Sequence, residues 1–360
     1  MIRCIDDGSL VLTGLSATAQ RAPAFDTVAG GGSRTNILGR MPTSHAIYAT
    51  AAAGERTALV CLSTRSDRKG LLQLGCHLVA LLATGAVVWV ARGSPWLLPA
   101  MIGHGILLVF LFAPLHESIH WTAFRRRWLN DAVAWACGAI LLLPPAYFRA
   151  FHFAHHRHTQ NPARDPELAV PKPGTLREYL WHVSGLPYWC ERIATILHHA
   201  CGRVGEPFIT PRQQPKIVRE ARLLLGVYAL VALASIALSS PALLYLWVGP
   251  ALLAQPFLRL YLLAEHTGCP LVANMLENSR TTRSLAPVRR LAWNMPYHAE
   301  HHAYPALPFH ALPAAHRLLK SQIAVQAPGY VAVHRELVAG LRPPGTAAAE
   351  SNPSRRVRRS

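Results

Sequence analysis

The sequence predicts an all-α integral membrane protein with four transmembrane helices, arranged as two hairpins, and one interfacial helix. Of its 360 residues, 51% are hydrophobic and only 15% are charged, whereas a soluble domain usually carries about 25% charged residues. Two apolar blocks are each long enough for a pair of bilayer crossings, and three histidine clusters lie at the ends of apolar runs. These observations predict a cytoplasmic helical cap over the membrane helices, in which the histidines hold a di-metal site.

The first hairpin follows a weakly patterned N-terminal segment. Residues 1–68 are rich in Ala, Gly, Ser and Thr, and we expect this segment to be flexible. An apolar run at 71–91 and a second at 97–115 each approach the roughly 20 residues that one bilayer crossing requires. The break between them contains Arg92 and is short, so two antiparallel helices joined by a tight turn are predicted.

The interfacial helix is predicted from a shorter apolar run at 132–143, which ends at Pro144-Pro145. Twelve residues are too few to cross the hydrocarbon core comfortably, so an interfacial or re-entrant helix is favoured. A full crossing would place the first and second histidine clusters on opposite sides of the membrane.

The second hairpin is predicted from the apolar block at 223–264, which Ser239-Ser-Pro241 divides into spans near 223–239 and 241–264. The membrane domain is therefore expected to cover residues 69–325. The C-terminal segment, 326–360, ends in a basic Pro-, Ser- and Arg-rich tail that is expected to be disordered.

The charge distribution predicts the orientation. The chain carries 36 Lys and Arg against 18 Asp and Glu. Arg92 is the only basic residue in the two predicted outer loops. By the positive-inside rule, both termini and all three histidine clusters face the cytoplasm, in a multi-pass protein expected in a bacterial inner membrane. The basic excess does not indicate nucleic-acid binding, because no basic stripe interleaved with aromatic residues is present.

Side chains three or four residues apart share one face of a helix, and the histidines within each cluster have this spacing. Imidazole is a suitable ligand for Fe, Zn, Cu and Ni. The clusters contain eight candidate metal ligands: His116 and His120, then His152, His155 and His156, then His298, His301 and His302.

A ninth candidate ligand is His266, at the end of the last apolar run. Nine imidazoles are too many for one ion, whereas two ions would take four or five each. Nearby polar residues are expected to orient the imidazoles or to hold a metal-bound water. The candidates for this role are Glu117, Glu265, Glu300 and Asn294, with Asp165 a weaker one. The remaining histidines, including His104, His182, His198 and His316, are interpreted as packing or surface residues.

The three clusters, read as H-x-x-x-H, H-x-x-H-H and H-x-x-H-H, resemble the membrane-bound fatty acid desaturase superfamily, which also contains hydroxylases and carotenoid ketolases. The resemblance covers roughly residues 70–320 and is closest around Asn294-Met-Pro-Tyr-His298-Ala-Glu-His301-His302. It implies a non-haem di-iron centre held by the histidines, O2 as co-substrate, and electrons from a ferredoxin or cytochrome b5 type donor.

The chain departs from some branches of that superfamily. The first cluster has a three-residue gap where acyl-CoA desaturases usually have four, and the third begins with His298 where front-end desaturases have Gln. These branches are therefore disfavoured, and acyl-lipid, sphingolipid-like and free acyl substrates stay open.

The function predicted from the sequence is O2-dependent desaturation of a fatty acyl chain in a lipid. A lipid or carotenoid hydroxylase or ketolase with the same site is the nearest alternative. A histidine-rich metal transporter would place its ligands at mid-membrane depth, and a membrane zinc hydrolase would hold one zinc ion and no iron.

Overall fold

The structure, a computed structural model, describes residues 2–4, 10–12 and 53–342. The described part of the chain is mostly helical. Its α-helices, in chain order, are α1 Ala53–Leu62, α2 Asp67–Val90, α3 Leu97–Val109, α4 Phe112–Ile119, α5 Arg127–Ile140, α6 Pro145–His158, α7 Leu176–Val183, α8 Leu186–Ala200, α9 Gln214–Ala237, α10 Gly249–His266, α11 Met275–Asn278, α12 Ala286–Leu291, α13 His298–Ala303, α14 Leu312–Leu319 and α15 Tyr330–Ala339.

Short irregular elements join these helices. A π-helical turn, Leu244–Val248, leads into α10, and 3₁₀ turns occur at Pro166–Leu168 and Phe309–Ala311. The all-α prediction missed two pairs of very short strands. β1 (Ile2–Cys4) pairs antiparallel with β2 (Leu10–Leu12), and β3 (Thr281–Thr282) pairs parallel with β4 (Gln326–Ala327).

Four helical segments are long and apolar enough to cross a membrane, as the sequence predicted. They are Asp67–Val90, Leu97–Ile119, Gln214–Ala237 and Leu244–His266, each of 23 or 24 residues. The first begins four residues before its apolar run, because the Ser66 hydroxyl accepts a hydrogen bond from the Lys69 amide and so caps a polar first turn. The spans therefore extend beyond the apolar runs.

The second and fourth spans pack tightly against each other. A Cβ atom on Gly105 of α3 would lie 2.1 Å from the carbonyl oxygen of Pro250 and 2.8 Å from Cβ of Ala254, both in α10. Only glycine permits this close approach of the two helices. Because α10 ends at His266 and α4 continues from α3 to His116, this packing brings the ends of both spans to one place.

The segment predicted to be interfacial, 132–143, lies mostly in α5, and α5 and α6 are bent by 99° at the break before Pro145. The residue before a proline avoids the helical conformation, which accounts for the break there. A pair bent in this way is a re-entrant segment or a broken span. The bend lets α5 pack on α4 while α6 carries the second histidine cluster beneath it.

Two hydrogen bonds join the first span to the second span and to the chain just beyond it. The Asp67 carboxylate accepts a hydrogen bond from the amide of Arg126 at 2.9 Å, beyond the end of α4. Further along, His77 Nε2 donates to the carbonyl of Leu107 at 2.8 Å. The outer faces of the first and third spans carry exposed large apolar side chains, including Leu82 and Ile236, as expected of surfaces that face lipid.

The N-terminal segment contains more structure than the sequence suggested. Leu59 and Leu62 of α1 are buried in the main hydrophobic core, next to α14. The rest of the segment expected to be flexible, and the basic tail from residue 343 onward, lie outside the described residues.

Candidate metal centre

The nine predicted ligands come from four separate parts of the chain. His116 lies in α4 and His120 directly after it, the second cluster lies in α6, and the third lies in α13. His266 is the last residue of α10. All nine side chains are buried, the most exposed retaining 7% of its accessible surface. The fold therefore withdraws nine imidazoles from water, which is costly unless their nitrogens find partners.

Five of these imidazoles form one group, here called the first group. Each contributes a nitrogen, and the five nitrogens lie within 4.8 Å of one another. The members of the first group are His116, His120, His152, His156 and His301.

Three others form the second group by the same criterion: His155, His266 and His302. His298 adjoins this group, because its Nε2 lies 2.9 Å from Nε2 of His266 and its ring centroid is 4.4 Å from that of His302. The two groups share a border, where the rings of His156 and His302 stack at 4.1 Å. The structure thus brings all nine predicted residues together in two adjacent groups.

Hydrogen bonds between the rings do not account for these short nitrogen–nitrogen distances. His156 Nε2 lies 2.9 Å from Nε2 of His152 and 3.2 Å from Nε2 of His301. His266 Nε2 lies 3.1 Å from Nε2 of His155 and 2.9 Å from that of His298. One ring nitrogen carries at most one proton, so it cannot donate to two neighbours.

The outer nitrogens define which tautomers are present. His155 Nδ1 lies 2.9 Å from a carboxylate oxygen of Asp165, and His266 Nδ1 lies 3.2 Å from the carbonyl oxygen of Asn278. Both oxygens only accept, so each Nδ1 carries a proton. In the neutral form that binds a metal ion, each ring has a lone pair on Nε2. The two Nε2 atoms are 3.1 Å apart, so both could bind one cation.

The nitrogen spacing also fits metal ligation. For metal–nitrogen bonds of about 2.0–2.1 Å, two ligands at a right angle are roughly 3 Å apart. Two further buried nitrogens, His120 Nε2 and His302 Nε2, have no hydrogen-bond partner. The residues present therefore fit metal ions held by imidazole.

Burial sets the charge state of the third cluster. Desolvation, followed by the repulsion of neighbouring imidazoles, holds the pKa values of His298, His301 and His302 well below the ordinary value of 6.5. These rings are consequently neutral at pH 7, which is the form that binds a metal ion.

Asp165 holds the Nδ1 side of a predicted ligand, His155, although the sequence made it only a weaker candidate for this role. Besides the bond to His155, its carboxylate accepts from the backbone amides of Gln160 at 2.8 Å and Glu167 at 2.9 Å. Asp165 is itself only 4% exposed. This fixed carboxylate holds the His155 ring in one orientation.

Glu265 is the only one of the four main polar candidates that contacts a predicted ligand among the described residues, with an oxygen 3.4 Å from His298 Nδ1. Glu117 instead accepts from the Thr122 hydroxyl and the Phe309 amide. Asn294 donates to the carbonyl of Phe309 at 3.1 Å. These bonds brace the segments around the histidines.

Glu300 lies between two predicted ligands in the sequence but faces away from the imidazole groups. Its carboxylate bonds to His316 and to the Thr281 hydroxyl, which anchors α13 to α14 and β3. His316 is therefore part of the support of the site, contrary to its interpretation as an ordinary histidine. By contrast, His104 bonds to Thr84 and to the Leu246 carbonyl and packs between spans as predicted.

A cavity of about 220 Å³ opens beside the imidazoles. Four of the predicted ligands, His116, His152, His155 and His298, line it. The rest of its lining is largely apolar and aromatic but includes several basic side chains. These residues include Phe112, Phe148, Leu258, Leu262, Tyr188, Lys172, His182, Arg192 and Arg259.

Comparison with known proteins agrees with these features. Residues 65–334 match the fatty acid desaturase family. The chain is similar to an sn-1 oleoyl-lipid 12-desaturase of Anabaena variabilis, with 30% identity over 133 residues that cover 31% of this chain and 37% of that protein. It is also similar to an sn-1 oleoyl-lipid 12-desaturase of Picosynechococcus, with 28% identity over 114 residues that cover 29% of this chain and 32% of that protein. Both matches thus span about a third of each relative.

Proposed function

The chain belongs to the fatty acid desaturase family, and we propose that it desaturates a fatty acyl chain of a lipid, with O2 as oxidant, at a histidine-ligated di-iron centre. The observation that carries the proposal is that nine buried imidazoles lie together in two adjacent groups. Some of their nitrogens have no hydrogen-bond partner, and others lie close to a nitrogen of another imidazole. Four of the rings line a largely apolar cavity. The two curated relatives named as oleoyl-lipid desaturases support an acyl-lipid substrate.

The two groups of imidazoles suggest the assignment of the ligands. The first group of five would hold one ion, and His155, His266, His302 and His298 would hold the other. When bound there, iron supplies the activation of O2 and the removal of hydrogen from an unactivated C–H bond. The balanced reaction removes two hydrogens from the acyl chain, and O2 with two further electrons and two protons becomes two water molecules.

The protein's own part in this reaction is to place the acyl chain and to exclude water. Phe112 lies against the His116 ring, with centroids 6.0 Å apart, and Phe148 lies against the His152 ring at 5.4 Å. The two phenyl rings also pack on each other, with centroids 5.5 Å apart, and form one aromatic wall. An acyl chain that lies along this wall would be held next to the imidazoles and out of contact with solvent. The apolar walls match the methylene groups of such a chain.

We propose that the four spans form two hairpins with both termini and the metal site on the cytoplasmic side of a bacterial inner membrane. The contact between Asp67 and Arg126 supports the first hairpin, because it joins the start of the first span to the chain after the second. The basic residues on the proposed inner side support the orientation. The electrons would come from a ferredoxin or cytochrome b5 type protein, which a basic cytoplasmic face would attract if that partner is acidic.

Expression in a lipid-producing host, followed by comparison of all lipids by mass spectrometry, tests the proposed reaction. A new lipid lighter by two hydrogens is the expected result, and a variant with both His155→Ala and His156→Ala serves as the inactive control. A gain of one oxygen would instead identify a hydroxylase. If the purified protein contains one zinc ion per chain and no iron, the proposed desaturase function is wrong and a zinc hydrolase is indicated instead.

Metal uptake distinguishes the transporter alternative. Of the predicted ligands, His116 and His266 lie near the ends of the second and fourth spans, and the other seven lie outside the four spans, which does not favour transport. Cells that express the His301→Ala variant should show unchanged metal uptake and no product, whereas loss of uptake would support a transporter.

A further inference from the structure

Two arginines that line the cavity lie close to one aromatic ring. The guanidinium carbon of Arg259, in α10, lies 4.4 Å from the centroid of the Tyr188 ring. That of Arg192, in α8, lies 5.8 Å from the same centroid. Both arginines line the same cavity as four of the imidazoles. Two positive groups thus lie near each other, and they repel unless an anion lies between them.

Arg259 has no acidic partner in the described part of the chain, where no carboxylate oxygen lies within 4.0 Å of its guanidinium. Its Nε atom is buried and makes no hydrogen bond. Arg259 also lies inside the fourth apolar span. A cation in such a position is expensive to maintain without a partner, and it usually marks a functional site.

Arg192 is in a similar state. Its side chain is only 7% exposed, and its Nε atom is buried without a hydrogen-bond partner. One terminal nitrogen pairs with Glu191, whose side chain is 58% exposed. The contacts with Glu191 and with the nearby Tyr147 ring leave Arg192 Nε without a hydrogen-bond partner.

The other acidic groups of the cavity are engaged elsewhere. Glu167 lies 3.8 Å from Lys172 and the same distance from His155 Nε2, and Glu265 contacts His298. These two carboxylates therefore lie beside imidazoles, and neither forms an ion pair with Arg259 or Arg192.

We propose that Arg259 and Arg192 bind the anionic oxygen group at the polar end of the acyl substrate, a phosphodiester or a carboxylate. The inference rests on the proposed desaturase function for the identity of the acyl chain. Arginine presents paired N–H groups that match two oxygens of such an anion. With the anionic group fixed by the two arginines, the distance from them to the imidazoles would select the carbon atoms that react.

The test compares three ligands that carry the same acyl chain. Phosphatidylglycerol supplies a phosphodiester, the free fatty acid supplies a carboxylate, and diacylglycerol supplies no charge. Binding to the purified full-length protein is measured without turnover, by quenching of a fluorescent acyl analogue of each ligand, and product formation is measured separately. Arg259→Gln and Arg192→Gln are compared with Arg177→Gln, a matched control whose arginine is exposed.

Both cavity variants should bind the preferred anionic ligand roughly 10- to 100-fold more weakly, the effect of removing one or two charge-assisted hydrogen bonds. Their binding of diacylglycerol and the behaviour of Arg177→Gln should be close to wild type. If the variants bind phosphatidylglycerol more weakly than wild type does, the anion is a phosphodiester. If they bind the free fatty acid more weakly, it is a carboxylate. Arg259→Lys, which keeps the charge without the paired donors, should fall between wild type and Arg259→Gln.

Equal weakening for the anionic and neutral ligands, or no weakening for either, would overturn the inference. If Arg259→Gln fails to accumulate, Arg192→Gln provides the same comparison from a helix outside the four spans. Failure of the proposed function is separate, because it would appear as wild-type protein that binds these ligands and forms no unsaturated product.

Discussion

A single carboxylate, that of Asp165, determines how His155 faces the rest of the candidate centre. It accepts a hydrogen bond from His155 Nδ1 at 2.9 Å and so holds Nε2 of the same ring toward His266. The carboxylate is held in turn by two backbone amides. Residues that orient a ligating histidine typically contribute 10- to 100-fold to metal affinity.

Replacement Asp165→Asn should therefore lower the affinity for iron by roughly 10- to 100-fold, because the neutral amide orients and polarises His155 less well. Iron titration of the metal-free protein measures the change. Asp131→Asn is the matched control, since the Asp131 side chain is 55% exposed and pairs with Arg127 at the surface. Unchanged iron affinity in the Asp165→Asn protein would show that the contact has no part in metal binding.

The adjacent histidines of α6 belong to different groups, His155 to the second and His156 to the first. The double replacement of both by alanine removes one ligand from each group, so the iron content should fall from about two ions per chain to less than one. Activity should be lost as well. Elemental analysis of purified protein gives the iron content, and His198→Ala, at an exposed position, is the control. Two ions retained in the double variant would contradict the assignment of the ligands.

The sequence predicted the imidazoles but not most of their supporting contacts. His152, His155 and His156 share a helical face, and that spacing is visible in the sequence. His266 Nδ1 bonds to Asn278, and His302 Nδ1 lies 3.2 Å from the Thr159 hydroxyl, 143 residues away in the chain. Such contacts depend on the tertiary fold and leave no local pattern. Asp165 was the exception that could have ranked higher, because Asp165-Pro166 lies in the loop just after the second cluster.

At the scale of elements, the position of the first cluster relative to His266 depends on how closely α3 approaches α10. Gly105 permits that approach, because a Cβ atom there would lie 2.1 Å from the Pro250 carbonyl oxygen. A larger side chain must push the two spans apart. Since α4 continues from α3 and α10 ends at His266, the displacement would reach the metal ligands.

Gly105→Val should consequently destabilise the protein by about 1–3 kcal/mol and reduce its iron content, as overpacking does in tightly packed interiors. Gly103→Val is a closely matched control, because Gly103 lies in the same helix and has no atom within 4 Å of the position of an added Cβ. Thermal unfolding in detergent and elemental analysis measure the two effects. Equal behaviour of the two valine variants would mean that the helix contact does not position the site.

Hydropathy predicted the four spans well, because about 20 apolar residues have few alternatives to a bilayer crossing. It did not predict where the helices end or what surrounds them. Helices outside the four spans, such as α7 and α8, mix polar and apolar residues, and α1 lies in a segment of small residues. Burial of Leu59 and Leu62 of α1 depends on a partner surface on α14 that is formed far along the chain.

For the whole molecule, the candidate centre is the place where distant segments meet. Its nine imidazoles come from α4, α6, α10 and α13 and the residue after α4, which spread over 187 positions from His116 to His302. Their nitrogens lie close together, as Nε2 of His155 and Nε2 of His266 do at 3.1 Å. Bound metal would join such nitrogens and so connect the second and fourth spans to the helices outside the spans.

Removal of the metal should therefore lower the thermal stability of the whole protein and not merely its activity. A ligand that binds only the folded state stabilises it by about 2.7 kcal/mol when present at 100 times its dissociation constant. Treatment with a chelator should lower Tm by several degrees, and Fe(II) added without oxygen should restore it. The variant with both His155→Ala and His156→Ala should start at a low Tm and respond weakly to either treatment. If the chelator removes the iron but does not change the Tm of the wild-type protein, packing alone holds the spans and the other helices together.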